Sequence, residues 1–150
     1  MPQSFVCLYC HLVFSTKNRL PLIGDDIRGR LHEYIGGILR NNGCDPIAIG
    51  GTMDHVHTIF RLGKQIAPCE VVRLAKAGSS RWVHETFPEL RDFGWQSGYG
   101  MFPVSAQGLE GAKAYVVNQA ENHRERPFQE EYLDFLRRHG VSYGERYVWD

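Results

Sequence analysis

Apolar and polar positions along this chain group into segments that predict four strands and four helices. The run Phe5-Val6-Cys7-Leu8-Tyr9-Cys10-His11-Leu12-Val13-Phe14 is rich in aromatic and β-branched residues and predicts a strand over residues 5–16. Pro21 and Gly24 make residues 18–24 a loop. Ile27, Leu31, Ile35, Ile38 and Leu39 recur at helical spacing. They predict a helix capped by Asp25 or Asp26, reaching about Arg40 and ended by Asn41-Asn42-Gly43. Residues 44–50 and 55–62 predict two strands joined through Gly50-Gly51-Thr52-Met53, and so short a connection makes them antiparallel. Pro68 opens a second helix carrying Val71, Val72, Leu74, Ala75 and Trp82, which Pro88 stops. Residues 93–105 hold Trp95, Tyr99, Met101, Phe102 and Val104 among three glycines and predict two short strands or one bent one. A third helix follows from Leu109 to about Arg124, Pro127 breaks it, and a fourth spans residues 128–139 before a loose tail.

The order β-α-β-β-α-β, with two further helices, matches the split β-α-β, ferredoxin-like arrangement. The expected class is α+β: an antiparallel sheet with two helices on one face and extra C-terminal helices. A length of 150 residues suits one domain, 1–150, with 128–150 as a C-terminal helix and tail. There is no repeat, linker or low-complexity stretch.

Apolar content is ordinary for a globular protein, and no apolar run approaches the roughly 18 residues of a membrane span. The polar start lacks the basic region of a signal peptide, so a cytoplasmic protein without membrane contact is expected. Cys7 and Cys10 have CxxC spacing, but an offset of three along a strand puts the thiols on opposite faces, and no second CxxC follows. They read as structural thiols. Formal net charge is zero, which argues mildly against a non-specific nucleic-acid binder and leaves a focused basic face open.

The chemistry centres on Asp54-His55-Val56-His57. Strand side chains alternate, so His55 and His57 share a face and make half of a metal site. Asp54 sits where it could orient them, although a regular strand points it to the other face. Downstream, Gly111, Ala114, Tyr115, Asn118, Gln119 and Asn122 form one helical stripe, polar for a core face and apolar for a solvent face. Gln119 offers a neutral oxygen one turn from Tyr115, and Asn122 and His123 are weaker candidates. Two imidazoles and an amide oxygen leave coordination positions for phosphate, so Mg²⁺ or Mn²⁺ fits, with imidazole favouring Mn²⁺. A phenol is a poor nucleophile until activated, and the combination suggests metal-assisted phosphoryl transfer onto tyrosine.

These residues resemble the single-tyrosine transposases with a His-hydrophobe-His motif, the insertion-sequence 200-like superfamily, which includes transposases associated with repetitive extragenic palindromes. The resemblance runs from about His11 to His123. It is carried by the strand and turn from His11 to Arg19, by Asp54-His55-Val56-His57, and by Leu74-Ala75-Lys76-Ala77-Gly78-Ser79-Ser80. Trp95-Gln96-Ser97-Gly98-Tyr99 and Tyr115-Val116-Val117-Asn118-Gln119 complete it. Lys76-Ala77-Gly78 departs from the commonest glycine spacing. The resemblance implies one divalent metal on His55, His57 and Gln119, with Tyr115 attacking single-stranded, hairpin-bearing DNA to give a 5′-phosphotyrosine and a free 3′-OH. It implies DNA contacts from Lys17, Arg19, Lys76, Arg81, Trp95 and Tyr99. It implies a homodimer, with the tyrosine helix exchanged between subunits in insertion-sequence members, whereas palindrome-associated members can be monomeric. Two other readings stay open: a His-x-His metal-dependent phosphoesterase, which needs a third His or carboxylate, and a non-catalytic DNA-binding module domesticated from a transposase.

Overall fold

Four strands, β1 (Tyr9–Ser15), β2 (Asp45–Gly51), β3 (His55–Arg61) and β4 (Gly100–Val104), form an antiparallel sheet in the order β2-β3-β1-β4. The computed structural model describes residues 3–119, 122 and 126–150. The helices are α1 (Asp25–Asn41), α2 (Pro68–Thr86), α3 (Leu109–Val117) and α4 (Phe128–Arg138). This is the expected α+β, split β-α-β class.

The alternation of β1 divides the protein into two cores. Cys10, Leu12 and Phe14 face α1 and α2, where Ile27, Leu31, Ile35 and Leu39 meet Val71, Val72 and Val83. Val13 faces the other way, onto Phe102 and the Phe128, Tyr132 and Leu136 stripe of α4. The C-terminal helix therefore covers the sheet face that α1 and α2 leave bare. That face also carries His11, His55 and His57, all buried.

Several boundaries differ from expectation. β1 starts at Tyr9, not at residue 5, because its partners run out: Tyr9 pairs with Arg61 and Val104, the last residues of β3 and β4. Phe5, Cys7 and Leu8 are exposed. Cys7 is thus off the strand, and all four cysteines are free. Gly24 occupies the N-cap of α1, and Asp25 and Asp26 fall in the first turn, where a carboxylate favours the helix dipole. Residues 93–105 give a single-residue bridge, Trp95 to Thr16, and then β4. α3 ends at Val117, and Asn118 (φ −95°, ψ 28°) leaves helical geometry. The predicted continuation towards Arg124, with His123, lies largely outside the described residues. No helix among the described residues is long and apolar enough to cross a membrane.

Candidate active site

β3 places His55 and His57 side by side on the face under α3 and α4, with both side chains fully buried. Gly50 of β2 lies opposite His57 and lets α3 settle against the sheet. A Cβ at that position would stand 2.0 Å from the Val116 carbonyl oxygen, so only glycine permits the approach. That approach brings Tyr115 and Gln119 over the histidines.

Each polar atom has a defined partner. Asp54 precedes β3 in a bend, so it escapes the strand's alternation, and the His55 Nδ1–H donates to its Oδ1 at 2.7 Å. Thr52 Oγ1 donates to the same carboxylate oxygen at 3.1 Å. Gln119 Nε2 donates to the Tyr115 carbonyl at 3.2 Å, which turns Gln119 Oε1 towards His55 Nε2 at 3.0 Å. In a neutral His55 whose Nδ1 proton serves Asp54, Nε2 and Oε1 are two lone pairs facing each other. Such a pair needs a proton or a cation between its atoms.

His57 Nε2 meets Glu131 Oε1 at 2.9 Å, and His57 Nδ1 meets His11 Nε2 at 2.7 Å. Burial, and then His57, push His11 down to about 3, so it is neutral and serves as an orienting partner. The Tyr115 hydroxyl donates to Glu131 Oε2. Burial first, and then that bond, raise the phenol above its ordinary value. Phe128 stacks on His55 with ring centroids 4.5 Å apart.

The donor set fits a divalent metal. Ligand atoms of His55, His57 and Glu131 all lie within 4.8 Å of one another. Imidazole nitrogens with carboxylate and amide oxygens suit Mg²⁺, Mn²⁺ or a neighbouring transition ion. Sequence reasoning missed Glu131 and the orienting role of His11. The signal for Glu131 was present: it interrupts the stripe Phe128, Tyr132, Phe135, Leu136 as a carboxylate on the apolar side of an amphipathic helix.

The expected DNA-contact residues divide. Lys17 and Arg81 are exposed, and Tyr99 is partly exposed. Lys17 opens a short turn, Lys17–Arg19, in which Asn18 and Arg19 both have positive φ (58° and 55°), a conformation non-glycine residues rarely adopt. Arg19 lies over the Trp149 ring, 5.2 Å from its centroid. Trp95 Nε1 donates to Ser79 Oγ at 3.0 Å, and its ring packs edge-on against Phe14. Lys76 Nζ donates to the carbonyls of Gln96, Ser97 and Gly98, at 2.8, 3.1 and 2.6 Å. Its three protons hold the loop before β4, and burial lowers its amine to about 8.

A four-stranded antiparallel sheet with a His-x-His pair under a tyrosine-bearing helix defines the class. The family model for IS200-like transposases matches residues 4–119, and the chain belongs to that family. The ISDra2 transposase TnpA of Deinococcus radiodurans is 25% identical over 114 residues, 73% of this chain and 81% of that protein. Among solved structures, a protein described as a transposase candidate from the same organism is similar at a TM-score of 0.65 and 25% identity, covering 79% of this chain and 96% of that one. A tyrosine transposase associated with REP sequences, solved bound to a REP hairpin, is similar at a TM-score of 0.56 and 13% identity, covering 77% of this chain and 68% of that one. The last likeness concerns the fold alone.

Proposed function

We propose that this transposase cleaves and rejoins single-stranded, hairpin-bearing DNA through a 5′-phosphotyrosine on Tyr115. The observation that supports it most is the convergence of the Tyr115 hydroxyl and His57 on the buried Glu131 carboxylate, beside His55 and Gln119. In the reaction, the Tyr115 oxygen bonds to phosphorus and the P–O3′ bond breaks. The 3′ oxygen takes up a proton and leaves as a free hydroxyl. Glu131 Oε2, which already accepts the Tyr115 proton as a hydrogen bond, receives it in full. The reverse attack by a 3′-OH rejoins the strand. His55, His57 and Gln119, with Glu131, would hold one Mg²⁺ or Mn²⁺. When bound, such an ion polarises phosphate oxygens and offsets developing charge.

Lys17, Arg19 and Arg81 would meet the DNA backbone, Tyr99 would stack on a base, and Lys76 and Trp95 would fix the loop that presents Tyr99. A hairpin is the DNA on which the REP-associated protein of this fold was solved, and a hairpin strand is the substrate proposed for this chain. The assembly proposed is a homodimer. In that homodimer the helix carrying Tyr115, which packs against β2 within one chain, is the element that subunits would exchange. Sedimentation that finds only monomer at working concentration would remove the dimer.

The chemistry is tested by incubating the protein and Mn²⁺ with labelled hairpin strands from DNA flanking its gene, beside Tyr115→Phe. A covalent protein–DNA band, metal-dependent and absent in the variant, is expected. Glu131 also supplies the third ligand a His-x-His phosphoesterase needs. Hydrolysis by water that survives Tyr115→Phe would favour that second reading.

A further inference from the structure

A cavity of about 320 Å³ opens between β4, α3 and α4, with His11, Tyr115 and Glu131 of the site described above among its lining residues. That volume is at the lower end of the ligand-pocket range. One wall is aromatic: Phe102 and Phe135 stack with centroids 5.2 Å apart, and the ring of the exposed His139 lies 4.7 Å from that of Phe102. Ala112 and Tyr115 form the opposite wall. At the mouth, Arg126 and Arg138 both reach Asp134, at 3.5 and 2.8 Å. The two guanidinium groups share the Asp134 carboxylate at the mouth, and Glu131 is the second carboxylate of the lining. An aromatic slot, guanidinium groups at the mouth and a phenol at the inner wall match a single nucleotide: base, phosphate and site of attack.

We propose that this cavity binds the nucleotide immediately 3′ of the cleaved phosphate, the one that stays joined to Tyr115. The assignment rests on the phosphotyrosine reading above. In-line attack puts the leaving 3′ oxygen on the far side of phosphorus from the phenol. A pocket that shares the Tyr115 wall therefore suits the retained nucleotide, not the departing one. The base inserts between the Phe102–His139 side and Ala112, and Arg138 meets the next phosphate.

The test uses two probes. The first is 2-aminopurine deoxyribonucleoside 5′-monophosphate, whose fluorescence is quenched on stacking, titrated into the full chain. Saturable quenching is expected with wild type. It should be lost in Ala112→Phe, which fills the cavity, and in His139→Ala, which removes an exposed stacking ring and leaves the core intact. Arg138→Ala should weaken binding by about tenfold or more, on the scale of one charge-assisted contact. The second is a hairpin strand with an abasic residue at the first 3′ position. Loss of one stacked base should slow covalent adduct formation by about tenfold or more in wild type. An abasic residue on the 5′ side should have the smaller effect.

No saturable quenching in wild type, or equal quenching in Ala112→Phe and His139→Ala, overturns the site. Adducts that form equally fast with intact and abasic 3′ flanks overturn it too, while leaving strand transfer standing. Quenching that the variants abolish, with no adduct on any strand, keeps the nucleotide site and removes the phosphotyrosine reading.

Discussion

Gly50→Ala tests how α3, the helix that carries Tyr115, is held. The new methyl carbon would stand 2.0 Å from the Val116 carbonyl oxygen and 2.8 Å from its carbon. These are backbone atoms, so no side chain can swing aside. Restoring even the tightest tolerable contact, 3.0 Å, moves α3 away from β2 by at least about 1 Å. Overpacking of this kind costs about 1–3 kcal/mol. For a domain of this size, that lowers the melting temperature by roughly 2–12 °C. Tyr115 and Gln119 ride on the displaced segment, and misplacement of a reacting group by about 1 Å costs on the order of 10²-fold in rate. Two assays read this out: thermal melting, and the rate of covalent adduct formation at saturating strand and metal. The activity loss should exceed what the unfolded fraction explains, because Tyr115 is misplaced in the folded variant itself. An adduct rate within twofold of wild type, with an unchanged melting temperature, would refute the claim that Gly50 sets the position of Tyr115.

Glu131→Gln should weaken metal affinity by roughly 10–100-fold, the scale for a lost ligand or its supporting partner. The rise in melting temperature that Mn²⁺ gives wild type should shrink accordingly, and an equal rise would exclude Glu131 from the site. Lys17→Ala should reduce the salt dependence of hairpin binding by about one unit of slope, whereas Lys76→Met should weaken binding with the slope unchanged. Those two outcomes reversed would mean that Lys76, not Lys17, meets phosphate. His32 on α1 is held down to about 4, by burial first and then by Arg28, and its Nε2 has no hydrogen-bond partner. Between pH 6.5 and about 4 the unfolded chain binds more protons than the folded one, so stability falls as pH drops through that window. The loss attributable to His32 is on the order of 2–3 kcal/mol, and His32→Phe should flatten that part of a pH–melting profile. A profile unchanged by His32→Phe would place the acid sensitivity elsewhere.

Much of this architecture is written in local periodicity. The stripe of α1 needed only a spacing of three and four, and the shared face of His55 and His57 only a spacing of two. Pro68 carried its role at the start of α2 in its ring, whereas Gly50 read only as part of a turn and its close approach to Val116 needed the packed structure. What the sequence hid depends on partners distant along the chain. The exposed Phe5, Cys7 and Leu8 look like strand because their composition is that of a strand, and only the ends of β3 and β4 reveal that the ladder stops. The position of Glu131 on the apolar side of α4 marks it in the sequence, but its partners are evident only when the helix is laid across the histidines. Lys76 illustrates the converse. A lysine in a family motif suggests phosphate, and nothing in its neighbours along the chain announces three carbonyls 20 to 22 residues away.

The central claim is that Tyr115 itself carries the DNA. The direct measurement is to trap the reaction with a 5′-defined hairpin strand and Mn²⁺, digest protein and DNA, and locate the added nucleotide by mass spectrometry. The account predicts a nucleotide 5′-phosphate on the peptide containing Tyr115, and no adduct from Tyr115→Phe. A nucleotide on another residue, or strand cleavage by water with Tyr115→Phe as active as wild type, would contradict it.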